Sequence, residues 1–102
     1  MWFAVSIFLK GESTGKPPAE WLWQENIALF DCDSAHAAAE LGAQYGRKHE
    51  ATFTSVTGDD IHWSFDCVCS VYAIDDAPVS GIEVFSRFLR ASEAASLLTP
   101  FD

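Results

Sequence analysis

Apolar residues alternate from the start of the chain, with Phe3, Val5, Ile7 and Leu9 on one side and Trp2, Ala4, Ser6 and Phe8 on the other. A period of two predicts a β-strand, and apolar residues on both sides predict one that is well buried on one face and partly buried on the other. The GESTGKPP stretch that follows is a loop, because Gly11, Gly15, Pro17 and Pro18 break any regular period. A second strand is predicted over residues 21–32, with Trp21, Trp23, Ile27 and Leu29 on one face and Leu22, Ala28 and Phe30 on the other. These two strands are expected to form an antiparallel hairpin with a long connection.

Asp33 and Ser34 are both good helix caps, and residues 35–50 run without proline through alanines, Glu40, Leu41, Gln44 and Arg47. The expected apolar stripe is Ala35, Ala38, Ala39, Leu41, Gly42 and Tyr45, and its small residues allow a close approach to a sheet. A second hairpin is predicted beyond the helix, turning at Gly58, Asp59 and Asp60. Along its second arm Ile61, Trp63, Phe65, Cys67 and Cys69 share one face by simple alternation, with His62, Ser64 and Asp66 on the other. Asp75, Asp76, Pro78 and Gly81 mark another turn, GIEVFSRFLR reads as a last strand, and Ser92 caps a short C-terminal helix over residues 94–98. The order is ββαβββ, an α+β fold with an antiparallel sheet curled over one long helix.

Composition places all of this in one domain, residues 1–102. The length suits one core, and fourteen Trp, Tyr and Phe residues are incompatible with an unfolded chain. Charge changes the picture more, since 15 Asp and Glu oppose 6 Lys and Arg, a formal charge of −9. Nucleic acid and anionic membrane surfaces are not expected partners, because both are bound through surplus basic side chains. The opening MWFAVSIFL lacks a basic leader and a small-residue cleavage pattern, so export is not expected and the cytoplasm is the expected compartment. An odd set of cysteines, Cys32, Cys67 and Cys69, agrees with reduced thiols rather than a disulfide framework.

Sequence motifs for chemistry fail one by one. GESTGK has three residues between its glycines where a phosphate loop needs four, and Pro17 stands where the hydroxyl belongs. Asp31 and Asp33 do not continue into a calcium loop, since Ala35 and His36 occupy the next ligand and the glycine positions. Cys67 and Cys69 lack the second ligand pair that zinc requires, with His36, His49 and His62 scattered singly. No metal or other cofactor is expected. The one acid/base cluster that can be assembled is His62 with Ser64 and Asp66, and exposed strand faces carry such residues by default.

More informative is where the acids and aromatics lie. No base occurs between Lys48 and Arg87, and residues 51–102 hold 8 acids against 2 bases. Asp59 with Asp60, and Asp75 with Asp76, occupy turns separated by a single strand, so they are expected at opposite ends of the sheet. A broadly negative surface steers basic partners and rejects acidic ones, and it also serves solubility. Trp63 alternates with core residues, whereas Trp2, Trp21 and Trp23 lie in a hairpin whose two faces one helix cannot cover, making Trp21 and Trp23 the expected anchors of an interface.

In their order and spacing, Trp2-Phe3-Ala4-Val5, Glu25-Asn26-Ile27-Ala28-Leu29-Phe30, Trp63-Ser64-Phe65 and Glu83-Val84-Phe85-Ser86-Arg87-Phe88 resemble a bacterial family of small proteins, the domain of unknown function 4288. Phe3 and Phe85 stand where that pattern has tyrosines. The resemblance implies a single α+β domain and carries no activity with it. Glu25, Glu83 and Arg87 are polar members of these pieces, and a buried Glu–Arg pair bracing the sheet is one expectation for them. The leading functional expectation is a non-enzymatic binding domain for a basic protein, such as an immunity protein or antitoxin-like inhibitor of a basic bacterial toxin. Asp59, Asp60, Asp75 and Asp76 would steer that partner, and Trp21 and Trp23 would anchor it. Against it stand a small enzyme or ligand-binding domain with a pocket between sheet and helix, using His62 with Asp66 or Cys67, and a homo-oligomer pairing its second sheet face with its own copy.

Overall fold

A computed structural model describes residues 1–98. β1 (Trp2–Ser13) and β2 (Leu22–Asp31) form the first hairpin, joined by a loop that holds a short 3-10 turn at Pro18–Glu20. α1 (Ala35–Lys48) crosses one face of the sheet, and β3 (Ala51–Thr54) and β4 (Asp60–Ile74) form the second hairpin. The sheet order is β2-β1-β4-β3, antiparallel throughout, and α2 (Ala91–Leu98) follows at the end. The α+β class, the curled antiparallel sheet, the one long helix and the short C-terminal helix are all as the residue pattern predicts.

α1 starts where a cap permits it. The Ser34 hydroxyl accepts a hydrogen bond from the Ala37 N–H at 3.1 Å, satisfying one of the free donors of the first turn. At the other end Arg47 and Lys48 lie in the last turn, and the ring of His49 stacks on Tyr45 with Nδ1 2.8 Å from the Tyr45 carbonyl. Ala38, Gly42 and Gly46 are the buried helix residues, one turn apart, and they press on Val5, Ile7, Phe65 and Val68. The core is this seam, with Phe3, Val5, Ile7 and Ala38 at its centre.

Simple alternation fails in β4. Its pairing with β1 runs Leu9 to Phe65, Phe8 to Cys67, Ile7 to Val68 and Ser6 to Ser70, so Asp66 and Cys69 are extra residues opposite no partner. Each such bulge advances the strand by one residue and reverses which side chains face the core. Ile61, Trp63 and Phe65 face the helix side as predicted. Val68 and Val71 then take that side in place of Cys69, and Cys67 passes to the opposite face with His62, Ser64 and Ser70.

The strand predicted at GIEVFSRFLR does not form: residues 82–90 adopt no regular structure. Gly81 has φ +88°, and the segment beyond it makes no ladder with β4. The order is therefore ββαββα, and the apolar residues of that segment find no pleated surface of their own. α2 makes no extensive contact with any other element. The radius of gyration is 16.2 Å, against about 13 Å for a compact chain of this length.

Candidate functional site

With α1 on one face, the other face of the sheet is open along β2, while Phe85 packs on Tyr72 of β4. Residues directly opposite in antiparallel strands share a face, so Lys10 and Trp23, Ser6 and Ile27, and Ala4 and Leu29 lie together there. β2 is an edge strand, and its positions 23, 25, 27, 29 and 31 point to this face as Trp23, Glu25, Ile27, Leu29 and Asp31. Trp23 is 52% exposed, Ile27 49% and Leu29 37%, an apolar row with a carboxylate within it and another at its end. The Ser6 hydroxyl, itself buried, donates to Glu25 Oε2, and the Asp31 carboxylate lies 3.1 Å from the chain's terminal ammonium.

Trp21 and Trp23 are brought together by one cation. Lys10 Nζ lies 5.8 Å from the Trp21 ring and 6.0 Å from that of Trp23, and it pairs with Glu12 at 3.1 Å. Their roles differ, however. The Trp21 indole N–H is held between the Ser13 and Lys16 carbonyls at 3.2 and 3.0 Å, so this half-buried ring fastens the β1–β2 loop, while Trp23 alone presents an open surface.

Asp59 and Asp60 sit beside that loop. The Thr14 N–H donates to the Asp60 carbonyl at 3.0 Å, and the Asp60 N–H returns a bond to the Thr14 hydroxyl at 3.1 Å. The Asp60 carboxylate accepts from Thr54 Oγ1 at 2.9 Å, and Asp59 accepts from Thr57 Oγ1 at 3.3 Å. Both acids help to build the turn. A Cβ at Gly15 would run into the Asp59 carboxylate, so loop and turn lie in close contact there. Asp75 and Asp76 are exposed at the far end of β4, roughly 45 Å away at 3.3 Å per residue, beside a cleft with Tyr72, Ile82 and Glu83. The structure thus gathers Trp21, Trp23, Asp59 and Asp60 at one end and leaves Asp75 and Asp76 at the other.

The interface between sheet and helix is filled at its centre, where Gly42 and Gly46 meet Val5, Ile7 and Phe65. Past the end of the helix a cleft of about 360 Å³ opens, lined by Gln24, Asn26, Tyr45, His49, Phe53 and Trp63. His62 is on the opposite face, with Nδ1 2.8 Å from the Thr52 hydroxyl, so it does not point into that cleft. Burial, chiefly, together with the hydrogen bond and charge of Asp66, pushes the Cys67 thiol up from its ordinary value. That favours the protonated thiol, which is the poorer nucleophile. Exposed Cys69 should accordingly react with iodoacetamide before Cys67 near neutral pH, read by mass mapping over time; faster alkylation of Cys67 would show an activated thiol instead.

Among the described residues, no three His, Cys, Asp or Glu side chains converge as a metal site. Nor do they form the expected buried Glu–Arg brace: Glu25 is bound to Ser6 and exposed, and Glu83 and Arg87 lie exposed in the irregular segment with no ion pair between them. A brace needs two regular elements to hold its ends, and the last predicted strand is missing.

A family model described as a domain of unknown function (DUF4288) matches residues 2–86, from the start of β1 into the segment after β4. The chain belongs to the DUF4288 family. A search of curated proteins and a search of solved structures found no match. The matched span of this DUF4288 domain takes in the whole sheet, α1 and the open face, and it ends before α2. Residue patterns revealed Trp23 and the face it shares with Ile27 and Leu29. Lys10 was missed as the residue that joins the two tryptophans, and the signal for it is cross-strand: it is the β1 residue opposite Trp23.

Proposed function

We propose that this DUF4288 domain is a non-enzymatic binding module for a basic protein, of the kind an immunity protein or antitoxin-like inhibitor forms with a bacterial toxin. The row of Trp23, Ile27 and Leu29 on the open face, with Glu25 and Asp31 in the same row, is the observation that supports this most directly. Exposed apolar residues grouped on one face of a small protein mark an interaction surface, and an aromatic among carboxylates suits an apolar anchor rimmed by bases. Asp59 and Asp60, at the Trp23 end, extend the negative field, which raises the rate of encounter with a basic partner. Asp75 and Asp76 act at longer range from the other end.

The test is co-expression with the product of the adjacent gene, followed by affinity measurement on the purified pair. Truncation of Trp23 to alanine is expected to weaken binding at least tenfold, about 1.4 kcal/mol or more, as for a central anchor. Added salt is expected to slow association more than dissociation. An unchanged affinity for the Trp23→Ala protein, or a partner that is acidic, overturns the reading.

A further inference from the structure

β4 is fifteen residues long, but β3 pairs only with Asp60–Trp63 of it. On the other side β1 pairs along β4 as far as Ile74. Past β3, the Phe65 N–H is taken by the Glu50 carboxylate at 2.9 Å, which closes the short ladder with a side chain. Among the described residues, no backbone bond then reaches residues 66–74 from that side. An open edge of this length is a template for another strand.

The same chain carries a strand-like segment with no ladder. Residues 83–88 alternate as Glu83, Phe85 and Arg87 against Val84, Ser86 and Phe88, and the structure leaves them irregular. Phe85 touches Tyr72 of β4 edge to face, with ring centroids 6.1 Å apart. Beyond it the chain leaves the sheet: Phe88 is fully exposed, as is most of Leu97 and Leu98 on α2. Arg87 and Arg90, the two bases of the second half of the chain, form no ion pair among the described residues, while Asp66 lies on the open edge at a bulge.

We infer that the open edge of β4 receives residues 83–88 of a second copy of this chain, in a reciprocal twofold exchange. Each copy has both an unpaired stretch of β4 edge and a strand-like segment without a ladder, next to each other in sequence, so a symmetric pair satisfies both at once. Charge fits, since the incoming segment carries Arg87 near its end and the edge carries Asp66. α2 is carried over with it, and its Leu97 and Leu98 gain an apolar surface that their own chain does not give them. This edge is distinct from the β2 face proposed for the basic partner, and the two readings stand or fall separately.

Light scattering on a sizing column tests this with the whole chain. At tens of micromolar the protein is expected to run at twice its 11.2 kDa mass. Two variants, Ser86→Pro, which places a ring and no N–H in the incoming strand, and Phe88→Asp, should both run at the single mass with unchanged circular dichroism. Oxidation of the Ser86→Cys protein should then join two copies through Cys69 on the bulged edge, seen on a non-reducing gel and mapped by mass spectrometry. A wild-type protein of single mass, variants that keep the double mass, or a bond from the introduced thiol to Cys69 within one chain overturns the exchange.

Discussion

Replacing Ile7 with alanine is expected to lower the unfolding free energy by about 4 kcal/mol, within the 2–5 usual for deleting a fully buried aliphatic side chain. Ile7 has no exposed surface, and it lies where three elements meet: it pairs with Asn26 of β2 and Val68 of β4, and its Cγ1 and Cγ2 carbons lie under Gly42 and Gly46 of α1. On its helix side the void would be lined by the backbone of Gly42 and Gly46. Glycines cannot swing a side chain into it, so collapse is limited and the cavity cost stays high. That is a large share of the total of about 5–15 kcal/mol for a domain of this kind. Urea titration followed by circular dichroism measures the change, with Ile7→Val expected to lose only about 1 kcal/mol. The contrast is Leu22→Ala: Leu22 is 70% exposed, and its loss should change little. Equal effects at Ile7 and Leu22 would mean that the core is elsewhere.

Valine at Gly42 attacks the same seam by adding atoms, and about 3 kcal/mol is expected to be lost. A Cβ there would stand 2.6 Å from Val5 Cγ1 and 3.4 Å from Val68 Cγ2. Val5 is fully buried and branched at Cβ, so it has no free rotamer into which it can retreat. The helix would have to lift, breaking the contacts of Ala38 and Gly46 one turn away on either side. Gly42→Ala should lose less, because alanine recovers about 1 kcal/mol of helix propensity against a smaller clash. The readout is the urea midpoint at constant slope. A midpoint for Gly42→Val equal to that of the unmodified protein would show that α1 does not approach the sheet this closely.

Both effects arise from a seam that is partly legible along the chain. Ala38 and Gly42 appear in the helical stripe, and the alternation of Phe3, Val5, Ile7 and Leu9 marks the strand beneath it. Gly46 lies beyond that stripe, which ends at Tyr45, and only the Phe65 ring pressed against it shows why the position is small. Among the candidate interface residues, Trp23 is exposed as the count of faces predicts. Trp21 has the same parity and a different role, since the Ser13 and Lys16 carbonyls hold its N–H, a contact that periodicity does not encode.

By itself, the amino-acid sequence determined the elements with strong local signals: two hairpins, a Ser34-capped helix, the acidic balance and the lack of local catalytic motifs. Period, caps and turn residues act over a few neighbours, so they can be read in order along the chain. Tertiary structure decided the rest. It placed β4 beside β1, introduced bulges at Asp66 and Cys69 that exchange Cys67 for Val68 on the core side, and left residues 82–90 without a strand partner. Each of those outcomes depends on which backbone groups across the sheet are available to pair, and that is settled only when distant strands meet.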